Sequence, residues 1–279
     1  VFATTVLAGF FPLFFKSFWA GELSDVASTA LLGTVSSISG FIIVVLAPIL
    51  GAMADFTGKK KVFLMTFALI GILSTSFLFF IPYGNWQWSL IIFGLSVIGF
   101  SGANIFYDSL LLDVSSNEDR NFVSSLGYAL GYLGGGILFL INVLMYLYPS
   151  FFGLSSQAEG ILYSFLSVAL WWLIFSMPIF LYVKQKNHES SKVSGNLIGQ
   201  SFQRILLTFR EIKRYKPVLI FLIAYWFYID AIDTIVRMAV AYGTDLGFDS
   251  SQLIIALIFT QFIGFPATFA YGYLAERFG

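Results

Sequence analysis

The sequence contains no cysteine and a single histidine, His188. The absence of cysteine excludes disulfide bonds, thiolate metal ligands and cysteine nucleophiles. A metal site needs several clustered ligands, and His188 stands alone among polar residues, so we expect a solvated side chain and no bound metal. The sequence also lacks a phosphate-binding glycine loop, so we expect no nucleotide and no other cofactor.

Charged residues are scarce as well. They make up 11% of the chain, whereas hydrophobic residues make up 58%. A soluble domain carries about 25% charged residues. The net charge is zero and no basic face exists outside one connecting segment, so we expect no nucleic acid partner. The apolar surplus exceeds what one water-soluble core can bury, which predicts an all-α polytopic membrane protein in contact with lipid.

Long apolar segments alternate with short polar connections along the whole chain. Each has about 20 or more residues, which is enough for a helix to cross the hydrocarbon core. A helix is favoured there because it satisfies its own backbone hydrogen bonds in lipid. The predicted spans are residues 1–20, 31–52, 62–81, 88–112, 122–146, 161–183, 218–243 and 253–274.

Basic residues fall in alternate connections. All of them except Lys16 and Arg237 lie in the loops after the second, fourth, sixth and eighth spans. The positive-inside rule therefore places these loops in the cytoplasm. Lys16 is followed by Phe18 and Trp19, a pattern typical of an interface, so we expect its ammonium to extend to the outer membrane surface.

The longest connection, residues 184–216, predicts a basic cytoplasmic linker. Its second half places apolar residues on one helical stripe and basic residues off that stripe. This favours a helix lying on the inner leaflet, and a charged tether between two bundles remains the alternative. The predicted organisation is a six-helix bundle over residues 1–183, the linker, and the first two helices of a second bundle over residues 217–279. The stripe consists of Ile198, Phe202, Ile205, Leu206, Phe209 and Ile212.

A glycine–carboxylate motif occurs twice, after the second and the eighth span. A repeat at equivalent places in two helix hairpins is typical of a duplicated transporter. Its glycines allow a tight turn and close helix contact, and its carboxylate can cap a helix or hold a basic group. A merely topological turn is the alternative. The two copies comprise Gly51, Asp55, Gly58 and Lys59, and Gly272, Glu276, Arg277 and Gly279.

This motif resembles the signature loop of the major facilitator superfamily. The resemblance implies a helical bundle of which about 8 of 12 helices are present, a cytoplasmic linker between two halves, and alternating access. It assigns Asp55 and Glu276 to gate contacts. Because the chain begins inside a span and stops at the second motif, we expect four further C-terminal helices of the same protein as partners. We also expect the last two spans to be held loosely and the chain not to transport alone.

A narrower resemblance links the chain to the autophagy-related vacuole effluxer family and its bacterial relatives. It implies an exporter of amino-acid-like solutes, and for a bacterial member an inner (cytoplasmic) membrane location. The matching stretches are Phe106–Asp113, Ser124–Gly135 and Asp230–Asp233, followed by Met238 and Tyr242.

Charges inside the seventh span supply the first candidate site. Asp230, Asp233 and Arg237 lie on one helical sector together with Trp226. A charge at mid-membrane costs about 2.5–3.5 kcal/mol on insertion scales, so these groups should face a cavity or a partner. They would hold the amine and carboxylate of a zwitterion, or one would carry a coupling proton. The alternative is an Asp233–Arg237 pair that only lets both charges tolerate the bilayer, which leaves Asp230 unexplained.

Two neighbouring helices supply further candidates. Asp108, with Asn104 one turn earlier, is either a proton or substrate group or an interfacial residue that reaches water. Gly127, Gly131 and Gly135 have the spacing that lets another helix approach closely. This run resembles the glycine motif of antiporters in the superfamily, although Tyr132 replaces its usual proline. The arginine typical of helix four in proton-coupled members is missing.

The leading prediction is a secondary active transporter that exports a small polar solute and is not an enzyme. An intramembrane aspartyl protease would also need membrane carboxylates, but the chain lacks the G-x-G-D setting of such enzymes. A non-transporting receptor or scaffold built on a transporter fold is the remaining alternative.

Overall fold

The computed structural model describes residues 1–116, 118–184, 207, 210–212 and 214–278, without the side chains at positions 55, 56, 275, 276 and 278. Most of the predicted linker helix, His188 and Gly279 lie outside the described residues. Within the described residues the chain is helical and contains no strand. This agrees with an all-α membrane protein.

The part of the chain that the structure describes has eight helices long and apolar enough to cross a membrane, which confirms the predicted spans. We number them in chain order. They are α1 (Phe2–Trp19), α2 (Asp25–Thr57), α3 (Lys60–Phe77), α4 (Trp86–Val114), α5 (Arg120–Leu147), α6 (Gln157–Tyr182), α7 (Lys216–Asp245) and α8 (Ser250–Phe278).

Local capping makes α2 longer than its apolar run. The Ser24 hydroxyl accepts a hydrogen bond from the Ala27 backbone N–H at 3.3 Å, which starts the helix before the membrane-spanning segment. Gly58 ends it in the left-handed conformation, with φ of 63°. Glycine adopts that conformation without strain, so Gly58 of the first motif copy is suited to end α2.

The first helix forms the centre of the core. It winds as a π-helix over Phe2–Phe10 and Phe15–Trp19, with one α-helical turn between. All of its aromatic side chains except the partly buried Phe18 are buried, among neighbours that include α4, α5 and α6. Phe11 stacks on Phe93 of α4 with ring centroids 3.7 Å apart, and Trp19 stacks on Phe165 of α6. These ring contacts fix α1 in the middle of the first six helices.

Small residues allow α3, α4 and α6 to approach closely. A Cβ built on Gly99 of α4 would clash with the Gly71 backbone of α3, and one on Gly71 would clash with Trp172 of α6. In membranes such small residues let helix backbones come near enough for tight van der Waals packing. The predicted N-terminal bundle therefore has a dense interior.

The seventh and eighth helices differ in how they are attached. α8 packs along α5, while α7 contacts α1 and α2 mainly near one end, where Val240, Ala241 and Gly243 are buried. From position 216 to 239 no residue of α7 is buried. The expectation of a loosely held pair is therefore wrong for α8, because glycines on both helices provide a close-packed seam that sequence spacing did not assign to this pair.

Candidate functional site

The charged sector of α7 contains one ion pair and one carboxylate outside it. Arg237 Nη2 lies 3.1 Å from Asp233 Oδ2 across one helical turn, so the predicted i, i+4 pair is formed. Asp230 and Trp226 are exposed, and Asp230 makes no hydrogen bond or ion pair with any other residue that the structure describes. The pair accounts for Asp233 and Arg237, whereas the solute or proton role of Asp230 stays a prediction.

A second polar cluster combines α4, α5 and α7. Asp108 and Asn104 are exposed one turn apart on α4. The Tyr107 hydroxyl lies 3.4 Å from the position that a Cβ on Gly127 would occupy, so it rests against α5. Asp108 acts electrostatically on Tyr107 and Tyr128, and Tyr128 also interacts with Tyr132 and with Tyr225 of α7.

These tyrosines were missed in the sequence, although their signal is visible there. Tyr107 adjoins Asp108, and Tyr128 and Tyr132 lie four residues apart, on one face of α5. Tyr225 precedes Trp226, which places the cluster about one and a half turns along α7 from Asp230. Tyr225 is about 140° around α7 from Asp230, so this cluster lies beside a different face of α7 from the charged sector.

In the first copy of the motif, between α2 and α3, the contacts with other helices are made by the two lysines that follow Lys59. Lys60 Nζ lies 3.7 Å from Asp113 Oδ2 at the end of α4, and both side chains are buried. Lys61 Nζ donates hydrogen bonds of 3.0 and 2.7 Å to the carbonyls of Phe180 and Val183. A cation at these carbonyls satisfies the last turn of α6 and complements its dipole. The turn therefore joins α3 to the ends of α4 and α6.

The residues predicted to form that turn differ in their surroundings. Gly58 terminates α2, and Lys59 immediately precedes α3. A Cβ on Gly51 would meet no atom within 4 Å, so no helix presses against this glycine here. The side chain of Asp55 lies outside the described residues, and its gate role stays a prediction.

The second copy of the motif lies against α5. A Cβ on Gly272 would stand 2.6 Å from Ser125 Oγ, so this glycine permits close contact of the two helices. Arg277 lies in the last turn of α8. The Glu276 side chain and Gly279 are not among the described parts of the chain, so the gate role of Glu276 also stays a prediction.

The glycines of α5 contact different neighbours. A Cβ on Gly135 would lie 3.2 Å from Gln261 Oε1 of α8, and one on Gly136 would lie 3.3 Å from Gln261 Cβ. A Cβ on Gly131 would meet nothing within 4 Å, and Gly127 faces Tyr107 of α4. Among these glycines, Gly135 and Gly136 rather than Gly131 face α8, because the side of α5 that α8 meets passes through them.

Lys16 was expected to extend to the membrane surface, and it instead pairs with α7. Its ammonium forms an ion pair with Asp245 and donates hydrogen bonds to the Ala241 carbonyl at 3.2 Å and to Thr244 Oγ1 at 3.3 Å. The Lys16 side chain is 9% exposed. Hydropathy identifies an interfacial lysine, but only the tertiary arrangement brings the C-terminal end of α7 to it.

Comparison with known proteins now decides the family. The sequence profile described as "Vacuole effluxer Atg22 like" matches residues 17–279. The chain belongs to this family. A Bacillus subtilis (strain 168) protein described as an uncharacterized MFS-type transporter, YxiO, is 41% identical over 286 residues, covering 99% of this chain. The predicted resemblance to the vacuole effluxer family and to the major facilitator superfamily is confirmed, and the Atg22-like chain is an integral membrane protein of the major facilitator type.

More distant relatives share parts of the chain. Autophagy-related protein 22 of Kluyveromyces lactis is 25% identical over 231 residues, covering 73% of this chain and 44% of that protein. An uncharacterized protein of Aquifex aeolicus is 33% identical over 137 residues, covering 49% of this chain and 33% of its own length. The Atg22-like chain spans 65% of the length of the Bacillus relative. No solved structure matches it.

Proposed function

We propose that this chain acts in a secondary transporter that exports small polar solutes of the amino-acid class by alternating access. The observation that carries the proposal is Asp230, an exposed carboxylate in the middle of α7 with no partner among the described residues. A charge at that depth is costly unless it faces water, a solute or a protein group. Membership of the vacuole effluxer-like family and similarity to the Bacillus MFS-type transporter support this proposal.

The chemistry of the α7 sector suits a zwitterion. Asp230 would accept hydrogen bonds from the solute ammonium, and the Trp226 ring, one turn away, would add a cation–π contact. Arg237 would take the solute carboxylate, since a guanidinium binds a carboxylate through two parallel N–H donors. In the absence of solute it is neutralised by Asp233 at 3.1 Å. Binding would therefore exchange an internal ion pair for one with the solute.

The cluster around Asp108 supplies the opposite wall of the same pathway in this proposal. Asp108 and Asn104 lie on α4, and Tyr128 connects them electrostatically to Tyr225 of α7. Phenol hydroxyls donate and accept hydrogen bonds, so they can follow a polar solute as it moves along the pathway. We assign the coupling proton, if transport is proton-driven, to Asp108 or Asp230. The chain belongs, on this proposal, in a bacterial cytoplasmic membrane with residues 184–216 in the cytoplasm.

Flux in liposomes tests this function. The protein, expressed from its complete gene, would be reconstituted and loaded with radiolabelled amino acids. We expect efflux that Asp230→Asn abolishes and that Glu118→Gln leaves intact, because Glu118 is an exposed loop carboxylate. A thermal-shift screen of amino acids, peptides and sugars identifies ligands independently, since a ligand that binds only the folded state raises its stability. Ligand binding without flux would favour a receptor over a transporter.

A further inference from the structure

The ends of α1, α2 and α7 meet at one ion pair on the side predicted to be extracellular, here called the outer end. Lys16 comes from α1 and Asp245 from α7. Thr29 of α2 donates a hydrogen bond of 2.8 Å to Asp245 Oδ2, while Lys16 binds Oδ1. Both oxygens of one carboxylate are therefore occupied by two different helices of the first six.

Every polar contact of the Lys16 ammonium is directed to α7. An ammonium has three N–H donors, and these reach Asp245, the Ala241 carbonyl and Thr244 Oγ1. Ala241 and Asp245 lie in the last turns of α7, where free carbonyls make a helix end electronegative. Lys16 thus neutralises an acidic side chain and complements the α7 dipole at the same time.

The buried residues of α7 lie at this end, although α7 also contacts the Phe2–Phe10 segment of α1. Val240, Ala241 and Gly243 are the buried residues of α7, and they lie beside the ion pair. The remainder of the helix is open, including Asp230 and Tyr225. At the outer end α7 is thus fastened to α1 and α2, while α8 is packed along α5 as far as Gly272 and Ser125.

We propose that Lys16, Thr29 and Asp245 form an outer latch, which holds the outer entrance of the solute pathway closed. The inference rests on the proposed alternating-access function, because a latch has a purpose only if the outer entrance opens in another state. Release requires the Lys16–Asp245 pair to separate and both groups to be hydrated, and each charge alone would be costly to keep buried. The pair therefore favours the state in which it is formed.

A static tie between helices is the competing explanation, and accessibility separates the two. The chain has no native cysteine, so Val240→Cys provides a single thiol just below the latch. Right-side-out vesicles of the protein, expressed from its complete gene with this reporter, would be treated with a membrane-impermeant maleimide. With the latch intact, Val240 is 2% exposed, and we expect slow labelling.

Asp245→Asn should raise the labelling rate at least tenfold while the protein stays monodisperse and folded. Glu22→Gln is the matched control, because it makes the same chemical change in an exposed residue of the α1–α2 turn. Thr29→Val should give a smaller increase than Asp245→Asn, since it removes one hydrogen bond and leaves the ion pair. When Lys16→Met and Asp245→Asn are combined, the thiol at position 240 should be labelled no faster than in the faster of the two single variants, because both substitutions break the same pair.

The latch is overturned if folded Asp245→Asn labels at the parent rate, or if the Lys16 and Asp245 effects multiply as those of independent sites do. These vesicles contain no added solute, so the labelling result does not depend on flux. Loss of the proposed function would instead appear as absent efflux in liposomes with the labelling pattern unchanged.

Discussion

The charged residues at the outer end of α7 and those in its middle are held in different ways. At the outer end, Asp245 is tied to Lys16 and Thr29 by contacts between helices far apart in the sequence. In the middle, Asp233 is paired with Arg237 inside the same helix, and Asp230 is left without a described partner. A charge whose partner is on another helix fixes the helix arrangement, whereas a charge without one is available for binding. On the proposed function, the same helix therefore supplies both a connection between helices and a solute site.

Removing the unpaired charge should have the largest effect on transport and the least on folding. Asp230→Asn keeps the shape of the side chain and removes its charge. We expect efflux to fall by at least about 100-fold, which corresponds to about 2.7 kcal/mol of lost binding or transition-state stabilisation. The midpoint of thermal unfolding in detergent should stay within the error of the parent, because Asp230 has no contact to lose.

Close helix packing in the first bundle should give the largest effect on stability. Gly99→Ala places a methyl group on the Gly71 backbone, so α3 and α4 must move apart, at a cost of about 1–3 kcal/mol. Gly131→Ala is the matched control, since a Cβ there meets nothing within 4 Å, and it should be neutral or slightly stabilising. Equal thermal unfolding midpoints for the two variants would contradict the α3–α4 packing described here.

Breaking the outer pair from the α1 side should reduce stability by an amount of the same order. Lys16→Met leaves Asp245 beside the electronegative end of α7 without its cation. Because Asp245 keeps 28% of its side-chain area exposed, we expect a cost of about 1–3 kcal/mol rather than the larger penalty of a fully buried charge. Denaturant or thermal unfolding measures it. A loss as small as that of an exposed loop charge would mean that the pair does not hold α7 in place.

The internal pair of α7 should contribute least to stability. Asp233 has 58% of its side chain exposed, and an i, i+4 pair of this kind contributes about 0.3–0.5 kcal/mol. Arg237→Ala should therefore change the unfolding free energy by about that amount while weakening solute binding at least tenfold, because it removes the group proposed to hold the solute carboxylate. Isothermal titration with the solute found in the screen measures the change in affinity. Unchanged affinity would show that Arg237 does not bind the solute.

The spans could be predicted because hydropathy and loop charge are local properties of the sequence. Lys59, Lys60 and Lys61 mark the end of one hairpin whatever the helices pack against, and the alternation of basic loops leaves little choice of span count. The i, i+4 pair of Asp233 and Arg237 was predictable for the same reason, since helix geometry alone brings the two together.

Contacts between distant helices could not be read from the sequence. The pairing of Lys16 with Asp245, and of Lys60 with Asp113, depends on which helix ends become neighbours after folding. Gly131 and Gly135 have the same sequence character, and only the rotation of α5 toward α8 decides which of them is packed. The π-helical winding of α1 left no signal in its sequence, because the aromatic packing that accompanies it comes from α4 and α6.

The central claim is that Asp230 faces a water-filled pathway open to the inside and closed to the outside, and two-sided labelling of Asp230→Cys tests it most directly. Oriented vesicles, prepared right-side-out and inside-out, would be treated with the same impermeant maleimide. We predict fast labelling from the cytoplasmic side, slow labelling from the outer side, and faster outer labelling when Asp245→Asn is added. A thiol at position 230 that reacts from neither side would mean that this face of α7 meets lipid, and would contradict the account.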